Sequence, residues 1–169
     1  MKDGTIGLDK AKGFIGWCIK RITGKPYGHA KAYLWGLTWE STVWWSIYWF
    51  KSGIRVTFGE TTSDEYWQPK PAETVSQVRA EIKYFLEQLN TRRPYNIFKL
   101  LVLAYVIPHR AFFEKIHWIP FDNANMGEVC STTVDEAKKV AGIDLLVGRM
   151  EGYTAPGDFR DSPLLEQVV

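Results

Sequence analysis

The segment from His29 to Val43 constrains the fold more than any other stretch of the chain. His29-Ala30-Lys31-Ala32-Tyr33-Leu34 alternates, Trp35-Gly36 places a glycine at a turn, and Leu37 to Val43 is rich in β-branched and aromatic residues. This pattern predicts a β-hairpin, which commits this part of the chain to an antiparallel sheet. Thr5 to Asp9 reads as a short strand before it, and Arg55 to Phe58 as another after it. Phe14 to Ile22 reads as a short amphipathic helix, with Thr23 to Gly28 a turn by its Gly and Pro content. Pro71 to Leu89 is the clearest helix, since Val75, Val78, Ile82, Phe85, Leu86 and Leu89 recur at helical spacing. Asn96 is an N-cap for a helix reaching Tyr105, stopped by Pro108. Ala111 to Gly127 is irregular, Cys130 to Ala141 reads as a third helix stopped by Gly142, and Thr154 to Asp158 is a turn. Strand-rich and helix-rich segments are partly segregated. The fold class expected is therefore α+β, a small antiparallel sheet packed against helices.

Size and charge narrow the function. At 169 residues the chain is expected to form one domain, residues 1–169, with a core that needs no metal or disulfide staple. A net charge of +2, from 21 basic against 19 acidic residues, does not argue for a nucleic-acid partner. Two cysteines, Cys18 and Cys130, make neither a disulfide framework nor a zinc cluster. The first residues do not resemble a secretion signal, and the apolar runs at Val43 to Phe50 and Ile97 to Ile107 are shorter than a bilayer span. The expectation is cytoplasmic synthesis without a transmembrane segment, with later delivery by another route left open. Aromatic residues, at 15% with eight Trp, stand out. Trp39, Trp44, Trp45, Trp49 and Phe50 either fill the core or line a binding wall, and Trp67, Trp118 and Phe121 add weight to a groove.

The residues able to carry chemistry are few. Cys130 opens the third helix, where unpaired backbone N–H groups and the helix dipole favour a thiolate. Asp135 and Glu136 follow it, read as first-turn acids. A free cysteine is more often inert packing, and position alone favours that reading. A base changes that. Of three histidines, His109 and His117 lie in irregular aromatic sequence and suit exposed or capping roles, whereas His29 begins the hairpin. With the two-residue loop Trp35-Gly36, opposed positions have an odd sum, so His29, Lys31, Tyr33 and Glu40 share one face. Glu40 is then a direct or diagonal neighbour of His29 and can orient its ring; the other reading pairs Glu40 with Lys31 as a solvated surface ion pair. Cys18 reads as a core residue of the first helix, no metal site is convincing, no cofactor is implied, and Lys10, Lys12, Arg92 and Arg93 read as solvated surface.

The order of several short motifs resembles a known family. Gly4-Thr5-Ile6-Gly7-Leu8 is followed by Phe14-Ile15-Gly16-Trp17, Thr23-Gly24, Tyr27-Gly28-His29-Ala30, Tyr95-Asn96, Val129-Cys130-Ser131 and Thr154-Ala155-Pro156-Gly157-Asp158-Phe159. Together these resemble the circularly permuted NlpC-type papain-like cysteine hydrolases, the YiiX/YebB-like group, across nearly the whole chain. The resemblance implies a permuted papain-like fold and a cysteine amidase or endopeptidase. Cys130 would be its nucleophile, His29 its general base and Glu40 its orienting group. It also implies substrate contacts at Tyr95 and Tyr27 and peptidoglycan-type peptides as substrate, with acyl esters as the lipid-directed alternative. A virion or another protein is a possible partner, and a silent binding module using the aromatic loops is the non-enzymatic alternative. Thr132 stands where the family usually carries Glu, and the segments Tyr48 to Lys70 and Pro108 to Met126 are idiosyncratic.

Overall fold

A computed structural model describes residues 1–45, 50–91, 102, 105, 109, 129–147 and 154–168. The described elements are β1 (Thr5–Lys10), α1 (Gly13–Thr23), β2 (Tyr27–Leu34), β3 (Leu37–Trp45), β4 (Phe50–Phe58), β5 (Glu65–Pro69), α2 (Val75–Asn90), α3 (Cys130–Val140), a 3-10 turn (Pro156–Asp161) and β6 (Leu165–Val168). The strands form one six-stranded sheet in the order β4-β3-β2-β1-β5-β6, and every adjacent pair is antiparallel. The α+β expectation describes this architecture.

The hairpin is set by its two-residue turn. Trp35 and Gly36 have φ of 54° and 68°, the backbone a type I′ turn requires at both central positions. The register follows from it: Leu34 faces Leu37, Tyr33 faces Thr38 and Ala32 faces Trp39. One face of the hairpin, with Ala30, Ala32, Leu34 and Trp39, enters the core, against Val78, Ile82 and Phe85 of α2 and Val134 and Ala137 of α3. Trp39 stacks on Phe85 with ring centroids 5.4 Å apart. Trp39 and Trp67 are both buried, so these two are core side chains and not walls of a groove. Trp49, Trp118 and Phe121 lie outside the described residues.

The other face carries polar side chains covered by residues 59–64. Tyr33 donates its hydroxyl to the Thr61 carbonyl, Thr38 donates to the Gly59 carbonyl at 2.9 Å, and Lys31 pairs with Asp9 at 2.7 Å. Lys31 is therefore engaged away from Glu40.

Gly28 matters for packing. A Cβ there would lie 2.9 Å from the Ala11 Cα and 3.3 Å from the Gly16 Cα. Its absence lets α1 close onto β2 one residue before His29.

α2 begins at Val75, the first residue of the apolar periodicity and four residues after the expected start at Pro71, because Thr74 caps it. The Gln77 N–H donates to Thr74 Oγ1 at 3.4 Å, and the Thr74 N–H donates to Gln77 Oε1 at 2.9 Å. This reciprocal capping box satisfies two donors that would otherwise be unpaired. Thr74→Ala is expected to cost about 1 kcal/mol of stability in urea unfolding, with no change in the chemistry of the site.

A buried charged cluster ties α2 and α3 to the start of β1. Lys138 is fully buried and donates to Glu73, to Glu81 and to the Gly4 carbonyl, the last at 3.0 Å. β5 and β6, which periodicity alone does not reveal, complete the sheet beyond β1. Val102 and Tyr105 are helical, while the rest of the helix expected over 96–105 lies outside the described residues. Among the described residues no helix is long and apolar enough to cross a membrane.

Candidate active site

Four elements bring one ionisable side chain each to the same region. β2 supplies His29, β3 Glu40, β4 Arg55, and α3 places Cys130 as its first residue. The hairpin register, extended from Ala32 and Trp39, puts His29 level with Thr42, so Glu40 is its diagonal neighbour on the same face. The side chains meet: His29 Nε2 lies 2.6 Å from Glu40 Oε2. The other Glu40 oxygen accepts from Arg55, whose Nε lies 2.7 Å from Oε1 and whose Nη2 reaches the same atom. Arg55 stands directly opposite Glu40 in the β3–β4 ladder.

With Nε2 engaged by Glu40, Nδ1 is the ring nitrogen left for Cys130, and the His29 ring and the Cys130 thiol act on each other electrostatically. Cys130 is 2% exposed. Burial alone would push its thiol up. The His29 charge and hydrogen bond, helped by the backbone N–H groups of Ala30 and Ser131, hold it below the usual thiol value. Burial alone would likewise depress the His29 imidazolium, but Cys130 and Glu40 raise it to about 10. Burial opposes ionisation of Glu40 as well, yet His29 and Arg55 draw it down to about 2. These directions favour a thiolate–imidazolium pair beside the carboxylate–guanidinium pair of Glu40 and Arg55.

α3 starts at Cys130 for local reasons. The Val129 N–H donates to Thr132 Oγ1 at 3.1 Å, and the Thr133 N–H makes the first helical bond, to the Val129 carbonyl, at 3.0 Å. Thr132 therefore closes the helix start. The backbone N–H groups of the first turn have no helical carbonyl behind them, so they are oriented toward the end that carries Sγ. Ser131 donates its hydroxyl to the Thr154 carbonyl, and Thr154 donates to Asp135 Oδ2 at 2.8 Å. Asp135 is not a first-turn acid: it is buried in the second turn and paired with Thr154 and with Lys139 at 3.3 Å.

The closing segment also reaches the turn before His29. Lys25 Nζ donates to the Gly157 carbonyl at 3.1 Å, to Asp158 at 2.9 Å and to Asp161 at 2.5 Å.

Tyr27 is not where a substrate contact would be. It is 1% exposed, its hydroxyl donates to Glu65 Oε1 at 2.5 Å, and Arg160 stands 6.0 Å from its ring centroid. It belongs to the buried core cluster. Tyr95 lies outside the described residues, as does His117. His109 is exposed, with Nδ1 2.9 Å from the Tyr105 carbonyl and its ring stacked at 5.2 Å on Tyr105. Cys18 is a half-buried free thiol on α1.

Arg55 is the member of the group that the sequence reading missed. Its strand was recognised, but its partner depends on the register across the β3–β4 connection, which no turn motif fixes.

No protein-family model matches this chain, and the curated proteins give no match. Among solved structures, the fold is similar to that of the metalloprotein YiiX of Escherichia coli O157:H7, a DUF1105 protein. The TM-score is 0.56 over 99% of this chain and 96% of that one, at 14% identity. A likeness at that identity concerns the fold: an α+β architecture with an antiparallel sheet and helices, of YiiX type.

Proposed function

We propose that the chain is a cysteine hydrolase of the permuted papain-like type, one domain over residues 1–169, acting through an acyl thioester. One observation carries the reading. A buried cysteine opens a helix within electrostatic reach of a histidine whose Nε2 is 2.6 Å from a buried carboxylate. Nucleophile, base and orienting group in that relation are the parts that nucleophilic acyl transfer requires.

In acylation the Cys130 thiolate attacks the carbonyl carbon of an amide or ester, and the carbonyl π pair moves onto oxygen. Backbone N–H groups at the start of α3 are placed to stabilise that oxyanion. As the tetrahedral species collapses, the bond to the leaving group breaks and His29 transfers its proton to the departing amine or alcohol. Neutral His29 then takes a proton from water as its oxygen attacks the thioester. Collapse releases the acid and regenerates the thiolate–imidazolium pair. Glu40 fixes the ring and balances the imidazolium charge throughout. The arrangement of Cys130, His29 and Glu40 supports acyl transfer as the reaction class. Cell-wall peptides as the amide substrate come from the family resemblance described above, and the geometry adds no choice among amides and esters.

Metal chemistry of the kind the name of YiiX denotes does not suit these residues. Cys130, His29 and Glu40 lie in sequence with the imidazole between the other two, and both Glu40 oxygens are used by His29 and Arg55. They do not converge on one point, as metal ligands must. Elsewhere among the described residues, no group of three or more His, Cys, Asp or Glu side chains is placed to hold a metal ion.

The test is to trap the intermediate. Mixed with p-nitrophenyl acetate and quenched in acid, the wild type is expected to carry an acetyl adduct on Cys130, located by peptide mass spectrometry, and Cys130→Ser to lack it. Acetylation confined to lysines, equal in both proteins, would count against the proposal.

A further inference from the structure

The two oxygens of Glu40 are divided between two cations, and that division has a consequence for the site. A carboxylate held by a single partner can rotate and present either oxygen. Here the guanidinium takes Oε1 with two of its donors, which leaves Oε2 for His29 Nε2. We propose that Arg55 is a positioning residue of this site, locking the rotation of the Glu40 carboxylate so that His29 keeps its ring directed at Cys130. The proposal rests on the cysteine-hydrolase reading for its effect on turnover.

Three features support the assignment. Arg55 sits at the one β4 position directly opposite Glu40, where Cβ atoms of paired residues are about 5 Å apart, so the long side chain folds back across the ladder to reach its partner. The Arg55 side chain is 47% exposed while Glu40 is 3% exposed. The arginine is therefore not needed to fill the core, and its well-formed contacts are with the carboxylate. A planar fork with several donors holds an oxygen in a fixed plane, which a point charge does not do.

The charges facing this group from the neighbouring strand cancel. Asp9 of β1 stands directly opposite His29 and is paired with Lys31. His29 and Arg55 are the cationic partners of Glu40 among the described residues.

Positioning and plain charge make different predictions for two titrations: appearance of the Cys130 thiolate at the acid end, followed by ultraviolet absorbance, and loss of the His29 imidazolium proton at the alkaline end, followed by ring-nitrogen NMR. The variants are Arg55→Met and Arg55→Lys, each shown to be folded by circular dichroism. If Arg55 positions the ring, its loss weakens the ion pair itself. The acid transition then rises and the alkaline one falls in Arg55→Met, each by about one pH unit, or about tenfold in population. Arg55→Lys, which keeps the charge but not the fork, lies between Arg55→Met and the wild type. If Arg55 acts only as a positive charge, its removal raises both transitions together, and that result overturns the proposal. Unchanged titrations in Arg55→Met overturn it as well. A wild type with no thiolate below pH 7 removes the ion pair, and so overturns the hydrolase reading together with the proposal before any variant is made.

Discussion

His29→Ala is expected to abolish acyl turnover while leaving the fold intact. Without the imidazole the thiol has no proton acceptor, the leaving group has no acid, and burial pushes the Cys130 thiol up with little left to oppose it. Losing the base of such a group costs on the order of 10⁴-fold or more in kcat. The fold should survive because the His29 side chain is partly exposed, at 21%, and because Glu40, the buried partner, keeps its contacts with Arg55. The measurement is kcat/KM on the ester or amide that acylates Cys130, with circular dichroism as the control for folding. Loss of less than about tenfold would show that Cys130 does not depend on His29 and that the proposed roles are wrong.

The second large effect concerns stability. Lys138→Met is expected to destabilise the protein by about 3–5 kcal/mol, because it removes the buried cation that Glu73 and Glu81 share. Glu73 and Glu81 both contact Lys138 Nζ, and all three side chains are at most 1% exposed. One cation against two carboxylates leaves an excess negative charge. Burial pushes Glu81 up, Lys138 opposes this, and Glu73 adds to it, raising Glu81 to about 8.

The sign of the pH dependence follows from the folded state holding this proton more tightly than the unfolded chain does. The stabilisation is complete below the ordinary carboxylate range and is lost as pH rises toward 8. Glu81→Gln, which mimics the protonated form, is expected to remove that decline, so its advantage over the wild type grows between pH 5 and 8. Urea midpoints across this range check both variants. A cost below about 1 kcal/mol for Lys138→Met, or a parallel pH profile for Glu81→Gln, would place the cluster outside the energetics of the fold.

Much of this was legible where local chemistry decides geometry. Gly36 after Trp35 marks a two-residue turn, the turn fixes parity, and parity puts His29 and Glu40 on one face; that chain of inference runs through residues adjacent in sequence. Cys130 at the head of a helix was readable from the run ending at Gly142. The start of α2 was placed at Pro71, ahead of the first periodic residue Val75, because Thr74-Val75-Ser76-Gln77, a capping box visible in the sequence itself, was passed over. β5 and β6 escaped because each is short and finds its partner far along the chain: Trp67 faces Gln167 and Pro69 faces Leu165. Arg55 and the Lys138 cluster escaped for a related reason. A charged residue in a strand or in the last turn of a helix reads as solvated surface, and only the tertiary register shows that Arg55 meets Glu40 or that Lys138 lies between two glutamates.

The measurement that bears most directly on the central claim is the pH at which Cys130 ionises. It can be read as the thiolate absorbance of the wild type minus that of Cys130→Ser, which does not depend on reagent access to a buried sulfur. The ion pair predicts thiolate already present well below pH 7, disappearing in His29→Ala. Thiolate that forms only near the value of a free cysteine, about 8.5, and forms there equally without His29, would contradict it.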